Sequence, residues 1–245
     1  MNLDLKKIEE IPANVKKKLF GLRDFEGAYI ISKLIKDKKK ILNIGCLWGR
    51  DYYFLSSGLN KNVVNLDLGK QEVPNLVIGD ITKKTLFKDN EFDAVIMGDI
   101  IEHIFEDFGA LAEIRRILKS DGILVLSIPY FDDKPDYHVR MHSEKTMRRL
   151  LESSGFKVTE TLTRGGLISL SKILAAPSLI LSKLSEKYRI KYLSAIAEAD
   201  YYLGRKKFYL LRFSKSYGGY FLAKKSVKKD FIKINRKSFI RNEEN

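Results

Sequence analysis

The residues with the clearest chemistry stand where an apolar run, 92–97, ends in the segment Gly98-Asp-Ile-Ile-Glu-His103. The run predicts a buried strand, and its polar end supplies the carboxylates of Asp99 and Glu102 and the imidazole of His103. An unperturbed imidazole titrates near neutral pH, so His103 is the candidate general base, with Glu102 and Asp99 as candidate catalytic partners. The alternative is that Glu102 and His103 only cap or orient the following helix.

A second group of polar residues lies in a loop between a predicted fifth strand and the next helix. The candidate substrate-binding residues of this loop are His138, Arg140 and His142. The same loop carries the acids Asp132, Asp133 and Asp136. A divalent ion held by Glu102, His103 and a loop carboxylate is compatible with these ligand types, but the spacing is not diagnostic. We therefore assign no metal ligands from the sequence.

A glycine-containing turn follows the first apolar run, 40–44. Gly45 permits a sharp exit from a strand, and Gly49 lets backbone approach a ligand at the helix start. The next apolar run ends in Asp67, whose carboxylate can accept both hydroxyls of a ribose, and Asp80 follows the third run. A strand, a tight turn, a helix and a second strand ending in a carboxylate build a nucleoside-binding site.

The elements that must position these side chains alternate between strand and helix. The predicted strands are 40–44, 62–66, 75–78, 92–97, 123–128 and 156–163, and the predicted helices between them are 48–57, 101–118 and 144–153. Alternation at this spacing indicates a parallel sheet with helices on both faces. The carboxyl ends of such strands share one edge, so the polar residues at the strand ends should meet there.

In this order, the motifs resemble those of class I S-adenosylmethionine-dependent methyltransferases. The Asp-x-x-Glu-His segment is similar to that of members acting on small molecules, lipids or glycans. The resemblance covers about 38–164 and a final strand near 217–224. It implies an α/β fold, a seven-stranded, mostly parallel, doubly wound sheet in the order 3-2-1-4-5-7-6, with S-adenosyl-L-methionine as cofactor. The cofactor-binding residues that it implies are Asn43, Gly45, Gly49, Asp67, Leu68, Asp80, Ile81, Gly98 and Asp99.

The first motif departs from the family pattern, acidic-x-Gly-x-Gly-x-Gly, at two positions. Asn43 replaces the carboxylate and brings no charge to the ammonium group of the ligand. Leu47 replaces the middle glycine, so we expect ordinary backbone angles there. Both departures are compatible with a binding protein of the same fold that has lost catalysis.

The regular alternation stops after 164. We divide the chain into a helical N-terminal extension (1–39), a cofactor-binding core (40–164), a helical insertion (165–207), closing strands (208–224) and a basic tail (225–245). In this fold the insertion crosses the cofactor end, so we expect a lid, with Pro177 kinking or splitting its helix. The alternative is a peripheral membrane contact through 167–207. Strands are predicted at Phe208–Phe213 and Tyr217–Ala223.

The charge of the chain is concentrated near its C-terminus. The formal net charge is +14, and residues 181–245 hold 17 Lys/Arg against 6 Asp/Glu, which accounts for +11. Such a segment attracts phosphates on nucleic acid, lipid or substrate, or it is a solvated surface. A single cysteine, Cys46, excludes an internal disulfide, and neither a signal peptide nor a long apolar span is visible. We expect a cytoplasmic protein, with peripheral membrane contact as an open alternative.

These observations favour an enzyme that methylates oxygen on a small molecule, lipid precursor or glycan. A nucleic-acid methyltransferase using the basic C-terminal region ranks below it. Amino-methylating nucleic-acid enzymes resemble one another in an Asn/Asp-Pro-Pro-aromatic motif, whereas this chain has Gly98-Asp-Ile-Ile101 at that place. A cytosine-C5 mechanism needs a nucleophilic cysteine, and Cys46 belongs to the cofactor loop.

Overall fold

A computed structural model of the protein describes residues 3–130, 138–208 and 217–226. Three predictions from the sequence lie outside these ranges. They concern the strand at Phe208–Phe213 beyond its first residue, the loop acids Asp132, Asp133 and Asp136, and the basic tail beyond residue 226.

Within these ranges, seven strands form one sheet. They are β1 (Lys40–Ile44), β2 (Asn62–Asp67), β3 (Leu76–Ile78), β4 (Phe92–Gly98), β5 (Leu118–Pro129), β6 (Phe156–Arg164) and β7 (Gly218–Lys225). The sheet order is β3-β2-β1-β4-β5-β7-β6. Strands β1 to β5 pair in parallel, and β7 runs antiparallel to both β5 and β6. The fold class and strand order predicted from the sequence are confirmed.

Helices cover both faces of this sheet. In the described parts of the chain they are α1 (Leu5–Glu9), α2 (Ala13–Leu19), α3 (Leu22–Leu34), α4 (Arg50–Tyr52), α5 (Asp107–Ile117), α6 (Glu144–Ser153), α7 (Ser171–Leu184) and α8 (Glu186–Arg205). Successive side chains of β1 lie on opposite faces of the sheet. Ile41 packs in the core under α3 and α8, and Leu42 packs in the core under α5 and α6. Burial on both faces explains why the central strands lack polar alternation.

Two predicted helices are interrupted near the cofactor edge. The one predicted at 48–57 begins after Gly49 as α4 and continues as a π-helical turn, Tyr53–Ser57. The one predicted at 101–118 is divided into a 3₁₀ turn, Ile101–His103, and α5. Irregular helical turns of this kind are often associated with functional sites. Here the division leaves Glu102 and His103 in the turn, at the end of β4.

The insertion is partly a core element. Ile190, Leu193 and Ala197 of α8 are buried in the same core as α3. Helix α7 runs through Pro177 without a break, so the prediction that this proline could split the helix is wrong. Pro177 is solvent-exposed. The carbonyl group one turn before it, which receives no hydrogen bond from proline, can therefore bond to water. Among the described helices, none combines the length and apolar character needed to cross a bilayer.

Candidate functional site

The turn after β1 is built around two glycines that no larger residue could replace without strain. Gly45 has φ +70°, and a Cβ atom there would lie 2.1 Å from Cδ1 of Ile100. Gly49 has φ +88°, and its Cβ would lie 2.3 Å from Cγ1 of Val73. Leu47 between them has φ +43°, so the ordinary backbone angles expected for it are wrong. The turn keeps the left-handed conformation that the family pattern assigns to glycine, at a cost of about 1 kcal/mol.

We expect Gly45→Ala to lower the free energy of unfolding by about 2 kcal/mol, because it adds both backbone strain and a clash with Ile100. Leu47→Gly should change it by less than about 0.5 kcal/mol, because relief of strain is offset by the added freedom of the unfolded chain. Urea unfolding of the two variants beside wild type measures both. Equal stability of Gly45→Ala and wild type would contradict this description of the turn.

A cavity of about 480 Å³ opens at the carboxyl ends of β1 and β2. Its wall includes six of the site residues predicted from the sequence: Gly45, Asp67, Leu68, Asp80, Ile81 and His103. The other residues in the wall are Ile44, Leu47, Leu66, Gly79, Thr82, Lys83, Ile100, Ile104, Phe105 and Glu106. Four predicted cofactor residues, Asn43, Gly49, Gly98 and Asp99, are not among those that line it. The cavity is therefore apolar on most sides, and its polar side chains are the carboxylates of Asp67, Asp80 and Glu106, the imidazole of His103, the hydroxyl of Thr82 and the ammonium group of Lys83.

The carboxylates of Asp67 and Asp80 lie at the ends of adjacent strands and accept hydrogen bonds from residues that follow them closely in the sequence. Oδ1 of Asp67 accepts long hydrogen bonds from the backbone N–H of Gly69, at 3.3 Å, and from Nε2 of Gln71, at 3.4 Å. Oδ1 of Asp80 accepts hydrogen bonds from the backbone N–H of Thr82, at 2.9 Å, and from its hydroxyl, at 2.7 Å. The bonds from Thr82 lower the pKa of Asp80. Both acids thus present oriented acceptor oxygens at one end of the cavity.

Asn43 faces the neighbouring strand. It is buried, and its side-chain amide donates to Oδ1 of Asn65 at 3.0 Å. Asn65 in turn donates to the carbonyl oxygen of Pro74 at 2.7 Å. The residue that replaces the acidic residue of the family therefore links β1 to β2 and to the start of β3.

Asp99 is engaged in an ion pair with a residue from the end of β6. Arg164 donates to both carboxylate oxygens of Asp99, at 2.9 and 2.7 Å, and the Ser127 hydroxyl adds a bond of 3.1 Å. Burial alone would raise the pKa of Asp99, but the charge and hydrogen bonds of Arg164 outweigh it and lower that pKa. Gly98 leaves room beside this pair for Arg50, since a Cβ at Gly98 would lie 3.2 Å from Nη2 of Arg50.

We expect Arg164→Met to lower the free energy of unfolding by about 2 kcal/mol, because it leaves the half-buried charge of Asp99 without its cation. Adding Asp99→Asn to that variant should recover part of the loss. Arg148→Met is the control, since Arg148 forms a more exposed pair with Glu152, at 3.7 Å, and should cost less than about 0.5 kcal/mol. Urea unfolding measures all four proteins, and equal effects of the two arginine replacements would refute the assignment.

Glu102, His103 and His138 form the second polar cluster. One potential ligand atom of each lies within 4.8 Å of the others, and the rings of His103 and His138 meet edge to face with centroids 4.7 Å apart. Arg140 forms an ion pair with the buried Asp107. Nε2 of His142 is buried without a hydrogen-bond partner among the described residues, and burial lowers the pKa of His142.

A network of buried charges extends from the Asp99–Arg164 pair, and few signals in the sequence indicate it. Glu26 of α3 is 3% exposed, and burial together with the nearby Asp200 raises its pKa to about 8, against the opposing charges of Arg164 and Arg50. Arg50 forms a two-pronged pair with Asp51, with both bonds 3.0 Å long. Arg164 could have been anticipated, because it ends a strand at the cofactor edge. Glu26 could not, because its packing partner is α8, more than a hundred residues away.

Comparisons with known proteins agree with this geometry. Residues 42–126 match the family model described as "Methyltransferase domain". An uncharacterised protein of Methanocaldococcus jannaschii is 30% identical over 198 residues, spanning 74% of this chain and 84% of that protein.

Two solved structures share the fold. A SAM-dependent methyltransferase from Archaeoglobus fulgidus has a TM-score of 0.55 at 18% identity, covering 83% of this chain and 94% of its own. The 1,6-didemethyltoxoflavin-N1-methyltransferase of Burkholderia thailandensis, solved with its acceptor and S-adenosylhomocysteine, has a TM-score of 0.54 at 16% identity, covering 84% and 79%. With its motifs, its sheet order and these matches, the chain belongs to the class I S-adenosylmethionine-dependent methyltransferases.

Proposed function

We propose that this methyltransferase transfers its methyl group to a hydroxyl oxygen of a small molecule, lipid precursor or glycan. The observation that carries the proposal is the position of His103. It lines the same cavity as the two acids at the ends of β2 and β3, and the buried Glu102 precedes it. A proton acceptor beside the cofactor cavity suits an acceptor that must lose a proton as it is methylated.

The cavity fits the cofactor in size and in chemistry. Its volume of about 480 Å³ is in the range of small-ligand pockets. Asp67 would accept hydrogen bonds from both ribose hydroxyls, and Asp80 would accept one from the adenine amino group. Leu68 and Ile81 contribute apolar wall beside these acids, as a flat aromatic base requires. Once bound, S-adenosylmethionine supplies an electrophilic methyl group on a sulfonium.

The residues of the chain would then act on the acceptor. His103 takes the hydroxyl proton as the carbon–oxygen bond forms, and Glu102 orients the imidazole from its buried position. Methyl transfer is an in-line displacement, so the remaining demand on the site is to hold the acceptor oxygen opposite the leaving sulfur. The contact between His103 and His138 brings the loop that follows β5 to the acceptor side of the cavity.

The reaction can be tested by incubating the enzyme and S-adenosylmethionine with pools of hydroxyl-bearing acceptors. S-Adenosylhomocysteine formed in the reaction is then cleaved, and the released homocysteine is measured. We expect turnover with a hydroxyl acceptor, an oxygen-linked methyl group in the product by mass spectrometry, and a loss of about 100-fold or more in His103→Ala near neutral pH. His142→Ala, which removes a neighbouring imidazole that does not line the cavity, is the comparison. Turnover on amines alone, or full activity of His103→Ala, would overturn the proposal.

We further propose that the outer face of α7 contacts an anionic lipid surface. Ile173 and Ile180 are 70% and 63% exposed, and with the exposed Ala176 and Pro177 they occupy positions i, i+3, i+4 and i+7 of one helix face. Exposed apolar side chains in such a row are typical of interfacial helices, particularly beside basic residues. Close to the end of α7, the first turn of α8 presents the exposed side chains of Lys187 and Tyr188, and Glu186 in the same turn is less exposed.

Liposome flotation tests this contact directly. We expect wild type to float with vesicles that contain phosphatidylglycerol and to stay at the bottom with pure phosphatidylcholine. The double variant Ile173→Ser/Ile180→Ser should lose flotation and keep its fold, because both side chains are already exposed. Wild type that never enters the floating fraction would contradict the proposal.

A further inference from the structure

Two segments far apart in the sequence meet at the Glu102–His103–His138 cluster. Glu102 and His103 belong to the 3₁₀ turn after β4, whereas His138 belongs to the loop after β5. The backbone carbonyl of Glu102 accepts hydrogen bonds from the N–H groups of Val139, at 2.8 Å, and Arg140, at 3.2 Å. Those bonds hold the loop beside the turn, so backbone hydrogen bonds keep His138 close to Glu102.

The cluster is also anchored on both sides. Glu102 is 2% exposed and has little freedom to move. Arg140, two residues after His138, forms an ion pair with the buried Asp107 at the start of α5. His103 is exposed and His138 is half-buried, and their rings contact each other edge to face.

We propose that Glu102, His103 and His138 bind one divalent transition-metal ion, such as Zn²⁺. Two imidazoles and one carboxylate are the protein ligands of many catalytic zinc sites, which keep a further position open. Imidazole nitrogen suits zinc and its neighbours in the first transition series, whereas Mg²⁺ prefers oxygen ligands. The donor set therefore selects against Mg²⁺.

The distances are compatible with this assignment. Zinc–ligand bonds of about 2.0–2.2 Å in a tetrahedron put neighbouring ligand atoms about 3.3–3.6 Å apart. The three candidate atoms lie within 4.8 Å of one another, so they have to close by about 1 Å. Ion binding would therefore require small changes in the side-chain torsions of the two histidines.

The site would have a direct part in the reaction, and this role rests on the proposed O-methylation. His103 lines the cofactor cavity, so an ion that it holds would lie beside the bound acceptor. An ion there would bind the acceptor hydroxyl and lower its pKa, and the proton would leave to solvent. The oxygen then takes the methyl group from the sulfonium, which departs as a neutral thioether. With the ion bound, His103 would act as its ligand, and the ion would take over the activation of the hydroxyl that the imidazole performs in the metal-free enzyme.

Metal binding can be measured without cofactor or acceptor, which separates this inference from the proposed function. Full-length protein without a polyhistidine tag is stripped with a chelator and titrated with Zn²⁺ by calorimetry against a competing chelator of known affinity. We expect one ion per chain and no comparable site for Mg²⁺. His138→Ala should weaken Zn²⁺ binding by tenfold or more, and His103→Ala should do the same.

The control is His142→Ala, which removes an imidazole from the same loop whose nitrogen is not part of the cluster. It should bind Zn²⁺ as wild type does. Glu102→Gln should also weaken Zn²⁺ binding. Glu102 is buried, and if its replacement prevents folding, the two histidine variants still decide the test. The inference is overturned if wild type takes up no stoichiometric Zn²⁺, if His138→Ala binds as tightly as wild type, or if His142→Ala loses as much affinity as His138→Ala.

Discussion

Replacing Asp67 with alanine should weaken the binding of S-adenosylhomocysteine by about 100-fold. Its carboxylate lines the cavity, and its protein donors are weak: those on Oδ1 are long, at 3.3 and 3.4 Å, and Oδ2 accepts only from the Cys46 thiol, at 3.7 Å, among the described residues. Acceptor capacity is therefore left for the two ribose hydroxyls. A hydrogen bond to a charged group contributes about 1.5–3 kcal/mol. Losing a pair of them, with partial replacement by water, corresponds to about 2.7 kcal/mol, or two powers of ten in Kd.

Isothermal titration of the variant and wild type measures the change. Asp121→Ala is the matched control, because Asp121 is an exposed acid before the buried segment of β5, at the opposite end of the sheet from the cavity. That variant should bind as wild type does. If Asp67→Ala binds within threefold of wild type, the assignment of this acid to the ribose is wrong.

The second large effect concerns pH. Glu26 is buried beside Asp200, Arg164, Arg50, Asp99 and Tyr220, and its pKa is raised to about 8. Because the folded state holds this proton more tightly than the unfolded state, the stabilisation is fully present below the ordinary pKa of 4.5 and is lost as pH rises towards 8. The loss across this window is on the order of 5 kcal/mol.

Glu26→Gln keeps the shape of the protonated acid and cannot ionise. We expect its unfolding free energy to match that of wild type within about 1 kcal/mol at pH 5 and to exceed it by several kcal/mol at pH 9. Glu10→Gln, which removes an exposed acid, controls for the loss of one negative charge. Urea unfolding at the two pH values gives both differences. A Glu26→Gln advantage that does not grow with pH would contradict an uncharged Glu26 in the native protein.

The sheet could be predicted because its signals are local. Each central strand is a continuous apolar run bounded by Gly, Pro or Asp, and burial on both faces of a parallel sheet produces that pattern. The same reasoning located Asp67 and Asp80, because the ends of adjacent parallel strands share an edge. Both acids line one cavity, at the ends of β2 and β3.

What the sequence could not supply is the choice of partner for each polar side chain. The place of Asn43 in the motif predicts a cofactor-binding residue, whereas its side-chain amide donates a hydrogen bond to Asn65 of the next strand. Asp99 reads as a catalytic acid, yet Arg164 of β6 occupies its carboxylate. Both partners are remote in sequence, so only the packed sheet reveals the pairing.

Tertiary structure also decided the backbone conformation of Leu47 and the packing of α8. Leu47 adopts a positive φ because the turn between two fixed glycines requires it, although leucine disfavours that conformation. Helix α8 belongs to the insertion that we expect to act as a lid, and its Leu193 and Ala197 pack in the core beside α3. Its apolar stripe suited either packing on the domain or an external surface, and tertiary contacts decided in favour of the core.

We expect the cavity between Asp67 and Asp80 to hold the cofactor. A crystal structure of the full chain soaked with S-adenosylhomocysteine tests it most directly. We expect one molecule in that cavity, with its ribose hydroxyls on Asp67, its adenine amino group on Asp80 and its sulfur towards His103. Density for the ligand elsewhere on the protein, or an empty cavity at saturating ligand, would contradict it.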